Sequence, residues 1–255
     1  MNGSKYLFIF MYLLAGTMCA APTSADWNSL IKAIEVGDLA TVKKIVPSKI
    51  SPDATTKNGR SLIQIAQFHN NPTIIKYFEQ KLEALPIEFY EKTKPYYEFT
   101  NFYQCTSIKL GGKSWPTSEH YFQAMKFIGP NQNIQEIIRT APTARDVFDL
   151  ANSKNGTYKN LIRADWDLVK DDIMLEVIRA KFSQDDNFKK LLLSTGSREL
   201  IEASPVDAYW GYGPDKKGKN MLGKILMQVR NELDTDLKVL LTELHNDLNA
   251  LIPKL

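Results

Sequence analysis

Apolar positions along the chain obey two different periods. From residue 26 to 84 they return at a long interval: Leu30, Ala33, Gly37, Val42 and Ile45 are matched 33 residues later by Ile63, Ala66, Asn70, Ile75 and Phe78. Such an interval marks stacked repeats with two short helices in each, not one amphipathic helix. Asn58-Gly59 supplies a turn, and Ser61-Leu62-Ile63-Gln64-Ile65-Ala66 opens the second repeat. Residues 26–84 are therefore expected to form a small all-α region.

Beyond Pro86 the pattern shortens. Ile87 to Tyr90, Thr106 to Leu110 and residues 199–203 read as short strands, with Gly111-Gly112 as a turn. Helical spacing covers 131–139, 142–151, 166–182 and 185–194, interrupted by Pro142 and by a polar loop over 152–160. Short strands scattered among helices predict a mainly helical α+β domain over 87–233. The last helix starts near Met221, and Leu237, Leu241, Leu244, Leu248 and Leu251 alternate by four and three, which predicts a C-terminal helical extension over 234–255.

The first 25 residues read differently again. Lys5 precedes an apolar run from Tyr6 to Leu14, and small residues follow from Ala15 to Ala25, the order of a signal peptide. The run is too short to span a bilayer. Cleavage after Ala25 or around Cys19 to Ala21 would yield a secreted or extracytoplasmic protein with no transmembrane segment. An uncleaved leader would leave it cytoplasmic.

Composition narrows the possibilities further. The chain has 255 residues, 44% hydrophobic and 24% charged, which is globular material. A formal charge of +3 gives no general attraction to nucleic acid or membrane, so any basic site must be local. Cys105 would be the only cysteine after cleavage, which forbids an intramolecular disulfide. With three separated histidines there is no recognisable ligand spacing, and neither a metal nor a cofactor is expected.

Two stretches carry candidate chemistry. In Ser118 to Phe127, Glu119, Gln123 and Lys126 share one face of an otherwise aromatic helix. Thr117 or Ser118 would cap that helix, so Glu119 falls in the first turn, where the dipole favours its ionised form. In Glu202 to Met227, Asp207 precedes Tyr209-Trp210, and glycines with Lys216, Lys217 and Lys219 lead into a helix near Asn220. Glycines admit a ligand close to the backbone, and a helix N-terminus suits phosphate. The plainer alternatives are a solvent-facing amphipathic helix and a solvated turn.

Phe-Thr-Asn-Phe at 99–102, Lys113 to Phe127, Arg-Ala-Lys-Phe at 179–182 and Asp207 to Arg230 resemble, in order and spacing, the YbiA-like NADAR family. The resemblance runs from about Ile87 to Leu233. It implies an α+β domain that handles ADP-ribose-like or ribosyl-phosphate ligands and, for characterised members, N-glycosidase activity. One branch hydrolyses ribosylamino-pyrimidine phosphates of early riboflavin biosynthesis. Another removes ADP-ribose from guanine, which would make ADP-ribosylated nucleic acid a partner. The 33-residue period resembles the ankyrin repeat and implies a surface for a protein partner.

Cleaving a ribosyl C–N bond develops positive charge at the sugar, and carboxylates stabilise it and guide water. Glu119 and Asp207 are expected to do this, Glu119 with a low pKa and Asp207, beside Tyr209 and Trp210, as the proton carrier. Lys126 is expected to hold phosphate or serve structurally, with a Schiff base as the other role open to it. Trp210, Trp166 and Trp115 are candidate stacking surfaces for base and ribose, followed by Phe102 and Tyr121. Asn101 and Gln123 complete the polar contacts, while Gly211, Lys217, Lys219 and Asn220 face the phosphate. Two other classes compete: a non-catalytic ADP-ribose-binding module, and a protein whose main role is interaction through the repeat region.

Overall fold

Thr23 accepts the backbone N–H of Asp26, and the Asp26 carboxylate accepts the N–H of Thr23, so α1 (Ser24–Val36) starts on a closed capping box. The computed structural model describes residues 21–251, and most of the leader expected over 1–25 lies outside the described residues. Gly37 ends α1 at φ 79°, and α2 (Leu39–Ile45) follows under an Asp38 cap. A turn bridged between Thr55 and Ser61 leads to α3 (Leu62–Phe68), capped reciprocally by Ser61 and Gln64. Asn70 takes φ 51° at the position matching Gly37, and α4 (Pro72–Glu83) closes the second pair. The two halves bury Leu30, Ile34, Val42, Leu62, Ala66, Ile74 and Phe78 against one another. Gly37 and Asn70, Ala33 and Ala66, and Ile45 and Phe78 thus take equivalent places in the two helix pairs, whereas Ile63 and Ile75 are less buried than Leu30 and Val42.

The chain divides between Ala84 and Leu85 into two compact units. The second is a mainly helical α+β structure. Its strands are β1 (Ile87–Phe89), β2 (Ile108–Leu110), β3 (Lys113–Trp115) and β4 (Leu200–Glu202). β2 and β3 form a hairpin around Gly111 and Gly112, at φ 58° and 70°, where a side chain would be strained. β1 and β4 pair in parallel across more than a hundred residues, Phe89 level with Glu202. β3 was not anticipated: it has three residues, two of them exposed, and offers no alternation to read.

The helices are α5 (Ser118–Ala124), α6 (Asn133–Arg139), α7 (Ala144–Ala151), α8 (Trp166–Gln184), α9 (Asp186–Leu193) and α10 (Met221–Leu251). α8 is the spine of this unit, packed against α5, α9, α10 and β2. Its Val177, Ile178 and Phe182 join Phe89, Phe99, Phe127, Leu222 and Leu226 in the core. α10 buries Leu222, Ile225, Leu226, Val229 and Leu233, then continues as the same helix with Leu237, Leu240, Leu241 and Leu244 exposed. No helix among the described residues is long and apolar enough to cross a membrane.

Candidate active site

α5 is short, and every one of its residues is buried. Thr117 caps it through His120 N–H at 3.2 Å, and the His120 ring is tied to Thr117 Oγ1 and to the Ala141 carbonyl, so His120 braces the helix. The preceding loop is fixed from below by the buried amine of Lys181, which donates to the carbonyls of Glu98 and Thr100 at 2.6 and 2.9 Å. That leaves the Asn101 carbonyl to accept Glu119 N–H at 3.1 Å. Glu119 is 5% exposed, and its Oε1 accepts Gln123 Nε2 at 2.7 Å.

Burial changes the expected charge on Glu119. Desolvation pushes its carboxyl well above the ordinary range and Asp207 adds to the rise, while the Gln123 hydrogen bond and Lys126 pull the other way. The low pKa expected from the helix dipole is therefore corrected: one turn of helix offers too little to offset loss of water. Lys126 lies just past the end of α5, its Nζ donating to the Ala151 carbonyl at 2.8 Å and sitting 5.4 Å from the Trp166 ring. Desolvation lowers its pKa, against the pull of Glu119.

The second predicted stretch folds back on the end of β4. Ser204 Oγ accepts the N–H of Asp207, and Asp207 Oδ1 accepts the N–H groups of Tyr209 and Trp210, both at 2.8 Å. The carboxylate is held rigidly, with both recorded bonds on one oxygen. Gly211 is required here because a Cβ would lie 2.6 Å from the Glu202 carbonyl. Asn220 clamps the loop to β4, accepting Glu202 N–H and donating to the Leu200 carbonyl. Its side chain is spent on structure. Phe122 joins the two stretches, with ring centroids 4.9 Å from Trp166 and 5.3 Å from Trp210.

Four polar atoms in this region are buried without a hydrogen-bond partner: Asn101 Oδ1, Ser118 Oγ, Gln123 Oε1 and Glu202 Oε2. Each such atom costs about 1–3 kcal/mol when left unmet. All four belong to residues bonded to, adjacent to or electrostatically felt by Glu119. A polar ligand that meets them would recover that cost. Glu202 and Ser118 were not among the site residues expected from the sequence. Glu202 follows two apolar strand residues, and nothing local marks that its Oε2 is buried once β4 pairs with β1.

The lysines of the loop do not act as one group. Lys216 approaches Glu88 at 4.0 Å and covers the Tyr212 ring, and Lys217 is exposed. Lys219 instead lies 4.8 Å from the Tyr209 ring, whose hydroxyl donates to Asp171, and Lys170 lies 4.1 Å from the same ring. Lys170, which pattern reading missed, carries a pair with Asp167 at 2.6 Å. Trp115 and Tyr121 are committed elsewhere: they stack edge-on at 5.2 Å in the core, with Trp115 Nε1 bonded to the Leu110 carbonyl and the Tyr121 hydroxyl to Glu176. Phe102 is half-buried beside Phe148. Cys105 is a buried free thiol. Among the described residues no group of three or more His, Cys, Asp and Glu side chains is arranged to hold a metal ion.

The NADAR domain model matches residues 88–234. N-glycosidase YbiA of Escherichia coli is 40% identical over 147 residues, covering 58% of this chain and 88% of that protein. An N-glycosidase of Nostoc punctiforme is 39% identical over 150 residues, covering 58% and 93%. A riboflavin biosynthesis protein of Vibrio vulnificus is 42% identical over 148 residues, covering 58% and 38%. The NMR structure of E. coli YbiA superposes with a TM-score of 0.53 at 38% identity, over 60% of this chain and 86% of that one.

Proposed function

This chain belongs to the NADAR family, with an N-glycosidase domain of the YbiA type over residues 88–234, and we propose that it hydrolyses the C–N bond of a ribosyl-phosphate or ADP-ribosyl substrate. The observation that carries this is the convergence of Glu119 with Asp207, Lys126 and the four unmet polar atoms. In this scheme Glu119, ionised in the active form and balanced by Lys126, faces the anomeric carbon and stabilises the oxocarbenium-like state. Asp207, aimed by two backbone N–H groups, takes the proton of the attacking water. Trp210 and Trp166 border the base and ribose, Asn101 and Gln123 offer their unmet oxygens to sugar hydroxyls, and Lys219 with Lys170 meets the phosphate. Ribosylamino-pyrimidine phosphates and ADP-ribosylated guanine are the two substrate classes we propose for it.

Chromatography of reactions with both classes tests this directly. A free base and a ribosyl product in equal amounts are expected. Saturable ADP-ribose binding without base release would instead make the domain a binding module.

The N-terminal helix pairs act, in this proposal, as ankyrin-type repeats that dock a protein through a groove of about 1110 Å³ bordered by Trp27, Arg60, Phe68 and His69. Export is proposed with cleavage around Cys19 to Ala21, because a cut after Ala25 would separate Thr23 from the Asp26 it caps. Mass spectrometry of the mature N-terminus checks this, and an intact Met1 in cytoplasmic protein would rule it out.

A further inference from the structure

Given the N-glycosidase reading above, on which the assignment rests, we propose that Glu202 is the site's proton donor, its carboxyl protonating the departing base at the end of β4. Three features point there. Glu202 lies level with buried Phe89 in the parallel β1–β4 pair, half-buried as a residue but with its Oε2 inside. Its backbone is fixed on both sides, the N–H by Asn220 Oδ1 at 3.0 Å and the carbonyl by Tyr212 N–H at 3.0 Å. Its Oε2 is nevertheless buried with no partner, on a residue whose backbone is pinned at both ends.

The surroundings favour the protonated form. Loss of water raises the pKa first, and Asp207 and then Glu119, the charged groups bearing on it, raise it further, to about 8. Glu202 thus enters the reaction as an acid at neutral pH, while Asp207 enters as a base. A carboxylic acid can also donate the hydrogen bond that its Oε2 lacks, and a base nitrogen is a matching acceptor.

The step balances without a co-reactant. As the C–N bond breaks, its electron pair stays on nitrogen, which takes the Glu202 proton. Water oxygen bonds to the anomeric carbon, and its proton passes to Asp207. Return of that proton to Glu202 within the carboxylate cluster resets the site, so one water is consumed.

The test compares wild-type chain with Glu202→Gln and Glu202→Asp, each checked for folding by circular dichroism. kcat and KM for base release are measured from pH 5 to 9.5 on a ribosylamino-pyrimidine phosphate. Glu202→Gln keeps shape and neutrality but has no proton to give. It should lose about 10²-fold or more in kcat with little change in KM, and its rate should lack the alkaline fall that wild type shows near pH 8. Glu202→Asp keeps a carboxyl and should retain that fall at a reduced rate, which preserves the test if the Gln variant does not fold. A Gln variant with wild-type kcat, or one that keeps the alkaline fall, overturns the assignment. Loss of that fall in Glu202→Asp overturns it as well. Wild-type chain that releases no base from any substrate overturns the glycosidase reading instead.

Discussion

The two units bury different chemistry. Among the described residues of the N-terminal unit the buried side chains are apolar, and the one polar atom they carry inward, the Tyr77 hydroxyl, donates to the Val46 carbonyl at 2.9 Å. In the C-terminal unit the interior includes Glu119, Gln123, Lys126, Lys181 and Asn101, with four unmet polar atoms around Glu119. A unit selected only to fold has no reason to keep uncompensated carboxyls in its core, since burying them costs stability. The contrast separates a scaffold from a site.

The largest effect should come from the scaffold. Phe78→Ala removes a fully buried ring from the N-terminal core and should cost about 3–5 kcal/mol there by calorimetry, with base release per folded molecule little changed. A matching collapse of turnover would mean that the units do not divide labour in this way.

Two carboxyls of the C-terminal unit should respond to pH with the sign opposite to that of Asp26 in the N-terminal unit. Glu119 and Glu202 have folded pKa values raised above the ordinary 4.5. Below that value both states hold the protons and their stabilisation is complete. As pH rises towards about 8 the unfolded chain releases protons that the native unit retains, so stability falls, by up to about 1.4 kcal/mol per pH unit for each proton. Asp26 behaves in the reverse way: hydrogen bonds from Lys49 first, then Thr23, hold it at about 2, so its contribution is present above the ordinary value of 3.8 and is lost as pH falls. Thermal melts of the wild-type chain should show, in the C-terminal unit, a weakening between about pH 5 and 8 that the raised carboxyls cause, and in the N-terminal unit a weakening on the acid side from Asp26. Glu202→Gln should flatten only the former, and curves parallel to wild type would contradict the raised pKa.

The smallest effect is at the rim. Lys219→Ala should weaken binding of a phosphorylated ligand at low salt by up to about fivefold, as for an exposed charge, and Lys217→Ala should do less. Titration calorimetry that ranks them the other way would move the phosphate to the tip of the loop.

The same contrast explains what was legible in the sequence. Helices α6 to α9 and both N-terminal pairs follow periodic apolar residues, because each buries one face against a neighbour. Glu119, Asp207 and Lys126 stood out as charges set among aromatics. Two things depended on tertiary burial and left no local mark. The protonation of Glu119 is set by the desolvation of all of α5, which outweighs the dipole of its first turn. Glu202 reads as one residue of a short strand, and its buried Oε2 follows only from the pairing with β1. Trp115 looked as available as Trp210, and only the hairpin shows that its ring closes the core.

The central claim is that Glu119 is kept in the core for chemistry and not for stability. Melting temperature and single-turnover base release, measured for wild type and Glu119→Gln on the same preparations, test it most directly. The account predicts a melting temperature equal to or above wild type at pH 8, because a buried acid is replaced by a neutral amide, together with turnover slowed by roughly 10²–10³-fold. Near-wild-type turnover with a lowered melting temperature would show that Glu119 is a structural residue and would contradict the account.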